Sequence, residues 1–241
     1  MKTVLYDLKR NYKAIGIFCL FSFVVIAQFW RRDLRSYSVA VLNYYFFWTS
    51  FIGMMVVITN LHMEDFRSGA IKELYVFIES GWKLIARRLL SVICVAGIFY
   101  LPALINQTIG IQKLKKVDPS LVEGTYALNL LVIYMGAAVF LSAYVMLIAY
   151  SVRSYKKAYF IAVLPPLVLN YLLPFIITQG QLDENGPLGM VSKILKKTPN
   201  GIITVWSQTQ MVSWEDGVLL LVYIAGLYAV AYVFYRNRDC I

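Results

Sequence analysis

The chain has one histidine, three cysteines and thirteen acidic residues among 241. Charged residues make up only 15% of it, against about 25% in an ordinary soluble domain. These shortages remove whole classes of chemistry. Cys19, Cys94 and Cys240 are too scattered for a disulfide framework or a metal-binding spacing. His62, standing alone, builds neither a zinc site nor a histidine relay. No G-x-x-x-x-G-K-[ST] loop is present, so the chain does not hydrolyse ATP by that route. H-E-x-x-H and G-x-S-x-G are missing too. No internal repeat mirrors one half on the other, as many secondary carriers would show.

What is abundant is apolar. Hydrophobic residues are 60% of the chain, and the mean hydropathy is +0.65. A helix needs roughly 20 mostly apolar residues to cross a bilayer. Six stretches qualify, at about 14–30, 39–61, 89–109, 126–150, 158–178 and 217–235. Barrel strands would alternate apolar and polar residues over about 10 positions, and these runs are apolar all round. The expectation is an all-α membrane protein, a single transmembrane domain over 1–241 with six membrane-spanning helices. The longest polar stretch, 179–216, is too short for a soluble catalytic domain of ordinary size. The first run leaves through Ala27-Gln28-Phe29-Trp30-Arg31, bulky and basic where a signal-peptide cleavage site needs small residues. It reads as a retained first span.

The net charge is +10. The cations flank the spans, where they suit anionic lipid headgroups, and no basic stripe with interleaved aromatics suggests nucleic acid. With both termini inside, the cytoplasmic segments carry 14 basic residues and the outside loops 9. The positive-inside rule then places both termini in the cytoplasm of a multi-pass chain in the cell membrane. No Asp, Glu, Lys or Arg falls in the middle of an expected span, which argues against a proton or ion relay. An apolar or amphipathic cargo fits better.

Polar irregularities mark a possible path for it. Span two carries Asn43, Tyr44 and Trp48, and Gln28 ends span one. Span five has Pro165, Pro166 and Pro174, with Asn170 and Tyr171 between the two breaks. Each proline removes a backbone donor and favours a kink, and the carbonyl it frees needs a protein or water partner in lipid. Beyond span five, about 187–212 reads as an outside re-entrant element of two short helices, the first stopping at Pro199-Asn200-Gly201. Trp206 and Trp214 suit the interface.

The loop between spans two and three has a helical pattern of its own. Ser68 is positioned to cap, and Ile71, Leu74, Tyr75 and Ile78 share one face over about 68–80. Gly81 then precedes the basic Lys83, Arg87 and Arg88. This describes an amphipathic helix on the membrane surface or against a partner.

At these residues the chain resembles the ABC-2-type transporter permeases. The pattern is acid-x-x-x-x-Gly, a short amphipathic helix, and a basic run into the third of six spans. Here it reads Glu64-Asp65-Phe66-Arg67-Ser68-Gly69, then Lys72, Leu74 and Arg88. Glu79-Ser80-Gly81 stands where the family often has a proline. The resemblance implies that 68–80 is a coupling helix docking on a separate ATPase subunit, through Glu64, Phe66, Gly69, Lys72, Glu73, Leu74, Arg87 and Arg88. ATP and Mg would be bound on that subunit, with no cofactor on this chain and no catalytic residue or metal site of its own. It also implies a second permease copy, identical or related, and export of an amphipathic cargo such as a toxin or bacteriocin peptide. The other class of reading is a non-transporting scaffold or sensor that binds a cytoplasmic regulator through 62–88.

Overall fold

The computed structural model describes residues 2–30, 38–67, 81–122, 124, 126–152, 154–182 and 186–238. Within them the chain forms α1 (Lys2–Trp30), α2 (Val39–Arg67), α3 (Gly81–Leu114), α4 (Ala127–Ser151), α5 (Tyr155–Leu182), α6 (Pro187–Lys196), α7 (Pro199–Thr209) and α8 (Trp214–Arg238). No strand occurs among the described residues. Six of the helices are long and apolar enough to cross a membrane, so the chain is a multi-pass membrane protein. Lipid offers no hydrogen bonds, and helices satisfy their backbone internally. Six crossings put both termini on one side, the terminal side; α6 and α7 lie on the other, the hairpin side.

The bundle is built around α2. Two-thirds of its apolar window is buried (67%), against 22% for α1 and α8. The second buried helix is α4, at 56%. Phe47 of α2 meets Tyr134 of α4 edge-on, ring centroids 5.2 Å apart. Small residues set how closely the helices approach: Ala137, Ala138 and Ala143 on α4 are fully buried. At Gly53 a methyl group would lie 2.6 Å from the Phe18 Cβ and 2.9 Å from the Phe99 ring. Three helices, α1, α2 and α3, therefore close on one glycine. In lipid the tails are as apolar as the side chains, so such close packing does what water exclusion does in soluble cores.

Helix ends differ from the expected spans, α2 running on to Arg67 rather than 61 and α3 beginning at Gly81 rather than 89, and three further points bear on the packing. First, α1 begins at Lys2 rather than near residue 14. Val4, Asp7, Asn11, Ile15, Ser22 and Ile26 are all buried, one continuous helical stripe that ignores the polar-to-apolar change. Second, the first outside helix ends at Lys196, ahead of Pro199 as expected, but Pro199 itself opens the next one: Thr198 caps α7, its Oγ1 accepting from the Gly201 N–H at 3.2 Å, and proline suits the first helical position. Third, α5 runs unbroken through Pro165, Pro166 and Pro174. Pro165 cannot donate to the Ile161 carbonyl, four residues back, and the Tyr144 hydroxyl of α4 donates to it instead at 2.8 Å. A further proline, Pro102, lies inside α3.

The packing argument separates two glycines. Gly53→Ala lowers the detergent melting temperature, overpacking by about 1–3 kcal/mol. Gly16→Ala, with nothing within 4 Å of the added methyl, leaves it unchanged or raises it. Equal behaviour of the two variants would contradict the close α1–α2–α3 approach.

Candidate functional site

Buried polar side chains collect at three levels along the bundle. On the terminal side, Asp7 of α1 and Arg88 of α3 form an ion pair at 3.1 Å, both nearly inaccessible at 4% and 7% side-chain exposure. The Ser91 hydroxyl donates to the same Asp7 oxygen at 2.9 Å, and Asn11 donates to the Asp7 carbonyl at 3.0 Å. Beside them, His62 Nε2 and the Ser142 hydroxyl share a hydrogen bond of 2.9 Å. The Tyr228 hydroxyl donates to that serine, also at 2.9 Å. Mid-bundle, Thr49 donates to Ser22 at 2.9 Å, with Ser50 3.4 Å from the same oxygen.

On the hairpin side the polar groups are amides. Asn43 of α2 donates to the Gln210 side chain at 3.3 Å, and Asn106 of α3 donates to the Asn43 oxygen at 3.4 Å. Asn129 of α4 donates to the Gln210 carbonyl at 2.9 Å. Gln210 itself donates to the Ser207 carbonyl at 2.7 Å. It ends α7 in the left-handed conformation, φ 57°, a geometry a glutamine holds only when its contacts define it. One residue thus ties the end of α7 to two spans directly and, through Asn43, to a third. Nearby, a cleft of about 330 Å³ opens between α2, α5 and α7, lined by Val41, Tyr44, Tyr45, Ile177, Gln181 and Gln208 among others. Among the described residues no charged side chain lines it.

The residues expected along a cargo path separate. Asn43 joins the amide network, and Tyr44 lines the cleft. Trp48 meets Tyr171 at 6.5 Å between ring centroids, and Tyr171 is otherwise exposed on α5. Asn170 keeps a buried amide nitrogen without a partner among the described residues. Gln28 is exposed near the end of α1. Trp206 is corrected: it is buried against α4 and α8 near Gly136 and Gly217, not at an interface. Trp214 is exposed, as an interfacial residue would be.

Of the expected coupling residues, Gly69, Lys72, Glu73 and Leu74, with the whole 68–80 helix, lie outside the described residues. Glu64 and Phe66 belong to the last turns of α2. Arg87 is half-buried, whereas Arg88 turns inward to Asp7. The sequence reading missed Asp7, Ser142, Asn106 and Gln210. A signal existed for Asp7 and Asn11, which fall on the helical stripe with Val4 and Ile15; Ser142 gave none in its apolar run.

The Ser142–His62 pair has the composition of a nucleophile and its base. Its surroundings do not suit that chemistry. Ser142 has no exposed surface, and its oxygen already accepts from Tyr228. An acyl group would have to displace packed side chains. A fluorophosphonate probe therefore leaves Ser142 unlabelled in the folded protein; stoichiometric labelling would reinstate an enzyme.

The ion pair makes a second prediction. Arg88→Met strands a buried carboxylate and destabilises by about 3–5 kcal/mol, whereas Asp7→Leu with Arg88→Met recovers most of the loss. Melting of the two variants in detergent checks this, and equal loss in both would contradict the idea that the unpaired carboxylate causes the loss. No family model matches this sequence, and no curated protein shows significant similarity to it.

Proposed function

We propose that the chain is the membrane permease subunit of an ATP-driven ABC exporter, moving an amphipathic or hydrophobic cargo out across the cell membrane. A toxin- or bacteriocin-like peptide is the cargo class that suits it best. ATP and Mg are handled by a separate ATPase subunit. The terminal side is cytoplasmic, in keeping with the excess of cations there.

The observation that carries the reading is the course of α2. It runs without a break from Val39 to Arg67, about 43 Å at 1.5 Å per residue. Its hairpin-side end holds Asn43 in the amide network, and its other end leads straight into the segment that resembles a coupling helix. A rigid helix through the bundle centre suits the transmission of a push from a cytoplasmic motor to the outer face. The cleft beside Tyr44, lined by apolar and uncharged polar side chains among the described residues, suits an amphipathic cargo. The apolar windows of α1 and α8, only 22% buried, leave faces for lipid and for a second permease copy.

Glu73→Lys tests the docking surface. The variant inserts normally but retains about tenfold less ATPase through purification, as the loss of about 1.4 kcal/mol at an interface requires. Undiminished ATPase on the variant would remove 68–80 from the docking surface. A chain that never brings down an ATPase but does retain a cytoplasmic regulator would favour the scaffold or sensor reading.

A further inference from the structure

A second concavity lies toward the terminal side, between α1 and α3. It is an open groove of about 500 Å³, lined by Leu5, Leu8, Lys9, Tyr12 and Gly16 of α1 and by Ile98 of α3, among others. The five α1 residues recur at helical spacing and share one face. Gly16 leaves its floor open, since a methyl group there would meet nothing within 4 Å. The groove falls within the apolar window Val4–Gln28. From Leu5 to Gly16 the helix rises about 16 Å at 1.5 Å per residue. That is the depth of one leaflet of a hydrocarbon core about 30 Å thick. Lys9 is exposed in the groove wall, and Lys13, one turn on, stands 6.0 Å from the centroid of the Tyr12 ring. Side chains on a helix lean toward its N-terminus, so both lysines reach toward the headgroup level on the terminal side. Asp7 is the one acid in residues 1–30, and it is turned inward to Arg88. The mouth of the groove is therefore cationic and its depth apolar.

We propose that this groove is a binding site for an anionic phospholipid. One acyl chain lies along Gly16 and Ile98, and the phosphate meets Lys9 and Lys13. The inference needs only the membrane-spanning fold and not the permease reading. In a bilayer such a groove is filled by a lipid chain or by another helix. A second copy using the same face would set Lys9 and Lys13 against their own counterparts, because a two-fold interface pairs a patch with itself. Like charges oppose that contact. An anionic headgroup neutralises them instead, and basic pockets between spans hold anionic lipid in this way. The apolar depth separates a lipid from a free phosphate, which has nothing to place against Gly16.

The test titrates the full chain in detergent with dioleoyl phosphatidylglycerol or dioleoyl phosphatidylcholine and counts bound lipid by native mass spectrometry. The parent holds the anionic lipid about tenfold or more tightly than the zwitterionic one. Lys9→Gln with Lys13→Gln removes that preference. Lys156→Gln with Lys157→Gln, which takes two cations from the same side at the start of α5, keeps it. Gly16→Leu fills the groove and weakens retention of the anionic lipid about tenfold, as losing the burial of about two methylene groups would. It does so without lowering the melting temperature in detergent alone. Glycerophosphoglycerol, the same headgroup without chains, does not compete at equal concentration. Equal affinity of the parent for both lipids would overturn the proposal. An unchanged preference in the Lys9 and Lys13 variant, or an equal loss in the Lys156 and Lys157 variant, would overturn it as well. Competition by glycerophosphoglycerol would leave an anion site with no acyl chain in it, and the lipid site would fall. Gly16→Leu that shifts dimer to monomer with lipid retention unchanged would hand the groove to a second copy. The lysine variants decide the matter if Gly16→Leu fails to insert.

Discussion

A polar group buried in this bundle has no solvent to turn to. Lipid cannot hydrogen-bond, so each buried donor or acceptor must find a partner on another helix or remain unpaired at a cost of several kcal/mol. That constraint organises the molecule. It explains why Tyr144 reaches the carbonyl that Pro165 leaves free, and why α5 keeps its helical course across three prolines. It explains why Asp7 and Arg88 face one another, and why Asn43, Asn106, Asn129 and Gln210 converge on the hairpin side. Apolar packing alone would not fix which helix lies beside which, because lipid competes for every apolar face. Small residues and matched polar groups supply the missing specificity.

The same constraint divides what was legible in the sequence from what was not. The six spans were legible because hydropathy reports them directly, and the short helices before α8 because Pro187 and the polar turns punctuate the chain. The start of α1 was not. Composition changes near residue 14, but the buried stripe of Val4, Asp7, Asn11 and Ile15 continues through that change, and its burial is a tertiary property. Trp206 was misplaced for a related reason: tryptophan favours interfaces in general, and the room beside Gly136 that admits it to the core is a tertiary property. His62 and Ser142 sit 80 positions apart, and no spacing in one chain announces such a pair. The segment 68–80, on which the family resemblance rests most heavily, lies outside the described residues.

The polar levels also give the bundle a mechanical order. On the terminal side, the ion pair and the His62–Ser142–Tyr228 chain gather α1, α2, α3, α4 and α8. On the hairpin side, Gln210 gathers α2, α4 and, through Asn43, α3. The helices common to both levels are α2, α3 and α4, with α2 the most buried of them. The three helices therefore run from the ion pair on the terminal side to the amide network and the cleft at Tyr44 on the hairpin side. On the permease reading proposed above, that shared axis is where the drive from a separate subunit would enter.

The central claim is that this drive comes from an ATPase on a separate chain. The most direct measurement is purification of the unmodified protein from its native membrane in mild detergent, with identification of the proteins that accompany it and an ATPase assay on the eluate. The account predicts a stoichiometric companion subunit and ATP hydrolysis. A clean chain without ATPase activity, even after crosslinking in the intact membrane, would contradict it.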